Sequence, residues 1–112
     1  MGQLTRIDDH PTAPRLVDLG RRVLVGRMEP SDLVVDDASM SRQHALVGWR
    51  LDHWAVIDLE SLNGTRVNGR RLERGEQARL DVGSEIVFGT GPAWCLTSDA
   101  PPAGLRDPSE VK

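Results

Sequence analysis

Three short polar stretches hold the side chains able to do chemistry: Gly26-Arg27, Ser39-Met40-Ser41-Arg42-Gln43-His44, and Ser61-Leu62-Asn63-Gly64-Thr65. Arg27 and Arg42 offer planar, permanently charged donors suited to a phosphate or a carboxylate. Ser41 adds a hydroxyl, and the loop beside it can aim backbone N–H groups at an anion. Asn63 carries an amide donor and an acceptor, so it can grip a peptide backbone as a neighbouring strand would. A catalytic arrangement can be drawn from Ser41, His44 and an aspartate as nucleophile, base and orienter. Ser41 sits in no Gly-x-Ser-x-Gly elbow, however, and the chain is small for a substrate cleft, so anion binding without catalysis is the expectation. His44, His53 and Cys95 match no compact zinc spacing, and neither a metal nor a cofactor is expected. Cys95 is the only cysteine, which leaves no intrachain disulfide.

Loops present such residues in a fixed geometry only when a rigid scaffold holds their ends. The residues between the polar stretches read as strands. Arg15–Leu19 and Arg22–Val25 are apolar runs stopped by Gly20 and Gly26, and Leu33-Val34-Val35 is bounded by Asp32 and Asp36. In Ala45–Leu51 the odd positions are all apolar, a period of two that places Trp49 and Leu51 on the core face with Ala45 and Val47. Trp54–Leu59 follows a turn at Asp52-His53, which makes a hairpin. Val67-Asn68-Gly69-Arg70 is the strongest local signal, because Asn-Gly tolerates the positive φ that a two-residue type I′ hairpin demands. Further strands are expected at 78–80, 85–88 and 93–97. Roughly ten short strands and no clean helical stripe predict an all-β sandwich.

The chain has 112 residues, enough for one domain and too few for two independent cores. Leu, Val, Ile and Phe make up a quarter of it, above the level of roughly 20% below which disorder is the better expectation. No apolar window spans a bilayer and the first residues lack the apolar run of a secretory signal, so a cytoplasmic protein away from membranes is expected. The net charge of -3 argues against a general nucleic-acid binder, which needs a basic face. Residues 1–14 and 99–112, with prolines among polar residues, are expected to be mobile tails around a folded body at 15–98.

Taken together, Gly26-Arg27, Ser41-Arg42-x-His44, Asn63-Gly64-Thr65 and Val67-Asn68-Gly69 resemble the forkhead-associated (FHA) domain over roughly residues 16–97. Each motif alone is weak; four in order at close spacing are specific. The resemblance implies a β-sandwich of eleven strands whose end loops bind phosphothreonine peptides. It implies that Arg27 and Ser41 contact the phosphate, with Arg42 and the Leu62 backbone N–H as further donors. Asn63 would bond the ligand backbone. Gly26, His44, Gly64, Thr65, Asn68 and Gly69 would support the site. Phosphothreonine proteins, and a Ser/Thr kinase as their writer, are the implied partners, and the chain would act as a small adaptor or as one domain of something larger.

Two other readings stand beside this one. A phosphorylation-independent module would use another face of the sandwich, with Trp49 or Trp54 as anchor, since tryptophan is enriched at interface hot spots. Alternatively the domain would bind its own amino-terminal tail, phosphorylated at Thr5 or Thr12. The oligomeric state is left open.

Overall fold

The computed structural model describes residues 1–9 and 13–102. Eleven strands run in chain order as β1 (Gly2–Arg6), β2 (Leu16–Leu19), β3 (Arg22–Gly26), β4 (Leu33–Val34), β5 (Ala45–Arg50), β6 (His53–Asp58), β7 (Thr65–Val67), β8 (Arg70–Arg71), β9 (Gln77–Leu80), β10 (Glu85–Phe88) and β11 (Ala93–Ser98). They form a six-stranded sheet ordered β2-β1-β11-β10-β7-β8 and a five-stranded sheet ordered β4-β3-β5-β6-β9. All pairings are antiparallel except β3 with β4.

The sandwich follows from period-two patterning. Val23 and Val25 on β3, Ala45 and Val47 on β5, Ile86 and Phe88 on β10, and Trp94 and Leu96 on β11 all face one buried layer. Trp54, Trp94 and Phe88 are its largest fully buried side chains. Burying a residue of this size contributes on the order of 3 kcal/mol, so these three rings anchor the core. The Asn68-Gly69 turn has φ of 51° and 82°, the two positive values a type I′ hairpin needs, and it joins β7 to β8.

The expected amino-terminal tail is instead part of the sheet. Residues 2–6 form β1, bonded to β2 on one side and to β11 on the other. Leu4 is fully buried, and a Cβ on Gly2 would lie 2.6 Å from the Trp54 indole, so the chain start lies flat on that ring. One buried leucine among polar residues is too faint a local signal to read as a strand; the pairing with β11, about ninety residues away along the chain, supplies what local pattern lacks. Thr5 therefore sits within the sheet, its hydroxyl bonded to Thr97 at 2.8 Å, and is not a free ligand segment. Thr12 lies outside the described residues. At the other end, the Trp54 Nε1–H donates to the Ala100 carbonyl at 3.1 Å and Pro102 is buried, so the chain stays docked through residue 102; the rest of the expected carboxy-terminal tail is outside the described residues.

The β5–β6 hairpin also differs from expectation. Its two-residue loop is Leu51-Asp52, with Arg50 opposite His53. Leu51 sits at the tip with φ of 58° and is 94% exposed, because the turn lifts it off the period-two row. Trp49 is half-buried, packed edge-on to Trp54 at 5.3 Å.

Candidate phosphate-binding site

The end of β3 and the loop before β5 are locked together by a glycine. A Cβ at Gly26 would stand 2.0 Å from the Arg42 carbonyl oxygen and 2.3 Å from Ser31 Oγ, so no side chain is tolerated there. That closeness lets the Arg27 N–H donate to the Ser41 carbonyl (3.0 Å) and the His44 N–H donate to the Val25 carbonyl (2.8 Å). Ser31 Oγ pins the Arg42 carbonyl from the side at 3.2 Å. Arg27, Ser41 and Arg42 are thereby placed at one end of the sandwich.

The β6–β7 loop is brought to the same place. The Leu62 N–H donates to Ser41 Oγ at 3.1 Å, joining the two loops through the groups expected to meet an anion. His44 fastens them from beneath. Its Nδ1 accepts the Ser41 N–H at 3.1 Å, so its Nε2 carries the proton and donates to the Gly64 carbonyl at 2.8 Å. The ring is fully buried edge-on to Phe88. Burial pushes its pKa below the usual histidine range, against the opposing pull of the Gly64 bond and the Asp58 charge. With both nitrogens committed to the backbone, His44 has none left for the Ser41 hydroxyl, and the nucleophile–base pair drawn from sequence does not form.

Asp58 is the hub of the second loop. Its buried carboxylate accepts the Ser61 N–H at 3.2 Å, the Ser61 hydroxyl, and the Thr65 hydroxyl at 2.9 Å. Gly64 has φ of 82°, a left-handed conformation that suits glycine, and a Cβ there would lie 2.5 Å from Arg71 Nε. Its carbonyl also accepts the Gly89 N–H at 2.8 Å, which ties in the β10–β11 turn. Asn63 Nδ2 donates to the Ser39 carbonyl at 2.8 Å, while the Ser39 hydroxyl donates to Asp37 at 2.6 Å and accepts the Thr90 N–H at 3.0 Å. Asn68 works at a distance. Its side-chain oxygen accepts the Glu85 N–H at 2.9 Å, so with Gly69 it holds β7 on β10 and does not touch the loops themselves.

The resulting surface carries positive charge free of internal partners. Arg27 is half-buried and Arg42 exposed, and neither guanidinium makes an ion pair or hydrogen bond among the described residues. Leu62, 76% exposed, presents its N–H at the rim. A hydroxyl, an N–H and two unpaired guanidiniums on interlocked loops can receive a tetrahedral oxyanion with charge-assisted hydrogen bonds. Sequence reasoning missed Asp58, Ser31 and Arg71, and named Ser61 without giving it a role. The Asp58-x-x-Ser61 spacing is a readable turn signal. Ser31 and Arg71, whose Nη2 donates to the Leu62 carbonyl at 3.5 Å, reach the site only through tertiary contact and leave no local mark.

An eleven-stranded sandwich with interlocked, cationic end loops defines a β domain built to present a small anion-receiving surface. Residues 23–89 match the FHA domain, and the chain belongs to that family. It is similar to the oxoglutarate dehydrogenase inhibitor of Corynebacterium efficiens, 41% identical over 75 residues that cover 61% of this chain and 51% of the relative. The glycogen accumulation regulator GarA of Mycobacterium tuberculosis is 38% identical over 71 residues, covering 60% and 44%. Among solved structures, Mycobacterium tuberculosis EmbR in complex with a low-affinity phosphopeptide superposes with a TM-score of 0.76 at 25% identity, over 92% of this chain and 26% of that one. The chain spans about half the length, or less, of the curated relatives it matches.

Proposed function

We propose that this domain recognises phosphothreonine-containing segments of other proteins without catalysing a reaction, as an adaptor or regulator in Ser/Thr-kinase signalling. The observation that carries this reading is the Leu62 N–H on the Ser41 hydroxyl, beside Arg27 and Arg42, which make no ion pair among the described residues. A phosphate oxygen arriving between Ser41 and Leu62 would take the hydroxyl proton and the N–H together, and the guanidiniums would neutralise its charge. Arg27 and Ser41 act as the primary phosphate contacts, Arg42 and Leu62 as further donors, and Asn63 as the grip on the ligand backbone. His44, Gly26, Gly64 and Thr65 hold the loops in place, and Asn68-Gly69 hold β7.

Phosphorylation adds about -1.5 to -2 charges and three strong acceptors, so the unmodified peptide forfeits these bonds. Affinity is expected near micromolar, about -8 kcal/mol, as suits a short peptide footprint. The names of the relatives, an enzyme inhibitor and a metabolic regulator, support a regulatory role, and the phosphopeptide complex of EmbR supports the ligand class. No helix among the described residues is long and apolar enough to cross a membrane. A single half-buried cysteine suits the reducing, cytoplasmic setting that belongs to this reading. Calorimetric titration with an oriented phosphothreonine peptide library and its unphosphorylated counterpart tests it. Equal affinity for the two sets would refute it.

A further inference from the structure

The outward face of β3-β5-β6-β9 carries a hollow that phosphate recognition leaves unused. At its centre two small residues face each other across the strands, Gly48 on β5 and Ala55 on β6. The next outward pair, Leu46 and Ile57, forms a half-buried apolar floor, and Arg21, Arg22 and Arg50 stand around it, with the Trp49 ring turned to the core side of the same strand. The hollow measures about 280 Å³, below the roughly 300 Å³ at which pockets for drug-sized ligands begin, so it suits an inserted side chain better than a free small molecule.

Gly48 is not required by the fold. A Cβ there would meet nothing nearer than the Arg21 carbonyl at 3.5 Å and Arg22 Cγ at 3.9 Å, an ordinary contact, and the residue is not left-handed. This contrasts with Gly26, where a Cβ is impossible. Glycine weakens a strand interior and there marks a place where another group approaches closely. The charges agree. Arg21, Arg22 and Arg50 make no ion pair among the described residues, whereas Arg70 and Arg79 on the same domain pair with Glu76 and Asp81. No acidic residue among the described ones lines the hollow.

We propose that this hollow is a second docking site, for an unphosphorylated acidic segment of a partner protein that inserts one apolar side chain over Gly48 and sets its carboxylates against Arg21, Arg22 and Arg50. Arg22 opens β3 and Arg27 follows its last residue, roughly 16 Å away at the rise of an extended strand, so one partner reaches both sites with a continuous stretch of chain. Linking the two contacts raises avidity without altering either.

The test is a titration of the isotope-labelled full chain, followed by backbone amide NMR signals. The probes are two unphosphorylated peptides, one with a central Leu flanked by Asp and Glu, the other with Lys at the flanking positions. The acidic peptide is expected to shift the amides of Leu46, Gly48 and Ala55 saturably, to leave Ser41 and Leu62 unmoved, and to bind more tightly than the lysine peptide. Gly48→Val, which fills the hollow with a strand-favouring side chain, and Arg22→Glu should each weaken it about tenfold or more while phosphothreonine binding is kept. Arg27→Ala should leave it unchanged, which separates this site from the phosphate cradle. The proposal is overturned by absence of shifts at millimolar peptide, by equal binding of the lysine peptide, or by binding that survives both variants. Shifts of these residues only with phosphatidylserine vesicles, or only on concentrating the chain alone, overturn it as well. Should Gly48→Val fail to fold, Arg22→Glu decides.

Discussion

If Arg27 and Ser41 serve one phosphate, their removal must be non-additive, and a double-mutant cycle measures this directly. Ser41→Ala deletes the acceptor of the Leu62 N–H, a bond of 3.1 Å at an exposed residue where water takes over. Its cost in stability is therefore at most about 1 kcal/mol, a fall in Tm of about 4–8 °C or less for a domain of this size. The cost in binding is larger, because the hydroxyl and the ordered N–H are both charge-assisted donors in the complex. Each single variant, Ser41→Ala or Arg27→Ala, should lose about 1.5–3 kcal/mol of phosphopeptide binding, roughly 10- to 150-fold in Kd. Bound to the same tetrahedral group, the two losses should couple by about 0.5–3 kcal/mol. Isothermal titration of the four proteins with one phosphothreonine peptide and its unphosphorylated form gives the cycle, and thermal melts control for folding. Losses that add to within about 0.5 kcal/mol would place the two side chains on separate groups and break the argument for a single cradle. A Kd for Ser41→Ala within about twofold of the parent would do the same, since so small a change is under 0.5 kcal/mol.

Acidification should destabilise the domain in part through His44. Its pKa is lowered by burial in the folded state, so below the unfolded value of 6.5 the unfolded chain binds a proton that the folded chain refuses. Stability is then full above pH 6.5 and lost as pH falls, at a slope of at most about 1.4 kcal/mol per unit from this group; denaturant melts between pH 7 and 5 should show the loss, and His44→Gln, less stable throughout, should lack that component. Gly26→Ala drives a methyl against the Arg42 carbonyl, backbone against backbone, and should cost about 3 kcal/mol or more, seen as a large drop in Tm; a neutral result would mean that β3 and the Ser41 loop do not touch as described. Removing residues 2–6 strips β1 from between β2 and β11 and uncovers Trp54, so circular dichroism should show loss of cooperative unfolding, whereas a dispensable tail would leave Tm unchanged.

Local pattern carried most of the scaffold. Alternation in 45–50 and 54–58, glycine stops at 20 and 26, and Asn68-Gly69 are short-range signals, because a strand's faces and a tight turn's φ values are set by neighbours in the chain. The four ordered motifs carried the family and pointed to Arg27, Ser41 and Asn63 before any coordinates. Side-chain type alone specified what the loops can bind: guanidinium, hydroxyl and amide are chemistry that a residue owns wherever it stands.

Tertiary structure decided the rest, wherever the determining partner is far away in sequence. Gly2–Arg6 became a strand because β11 was there to receive it, and the polar surroundings of Leu4 could not announce that. His44 became a clamp and not a base because Ser41 N–H and the Gly64 carbonyl, one three and one twenty residues distant, occupied both ring nitrogens. Asp58, by contrast, became the hub of the second loop through partners only three and seven residues on, a turn the sequence could announce, while Arg71 came to rest on Leu62 only once the β7–β8 hairpin folded back on that loop. The hollow over Gly48 exists only because register sets Ala55 opposite it, and a register is a property of two strands, which neither stretch of sequence contains alone.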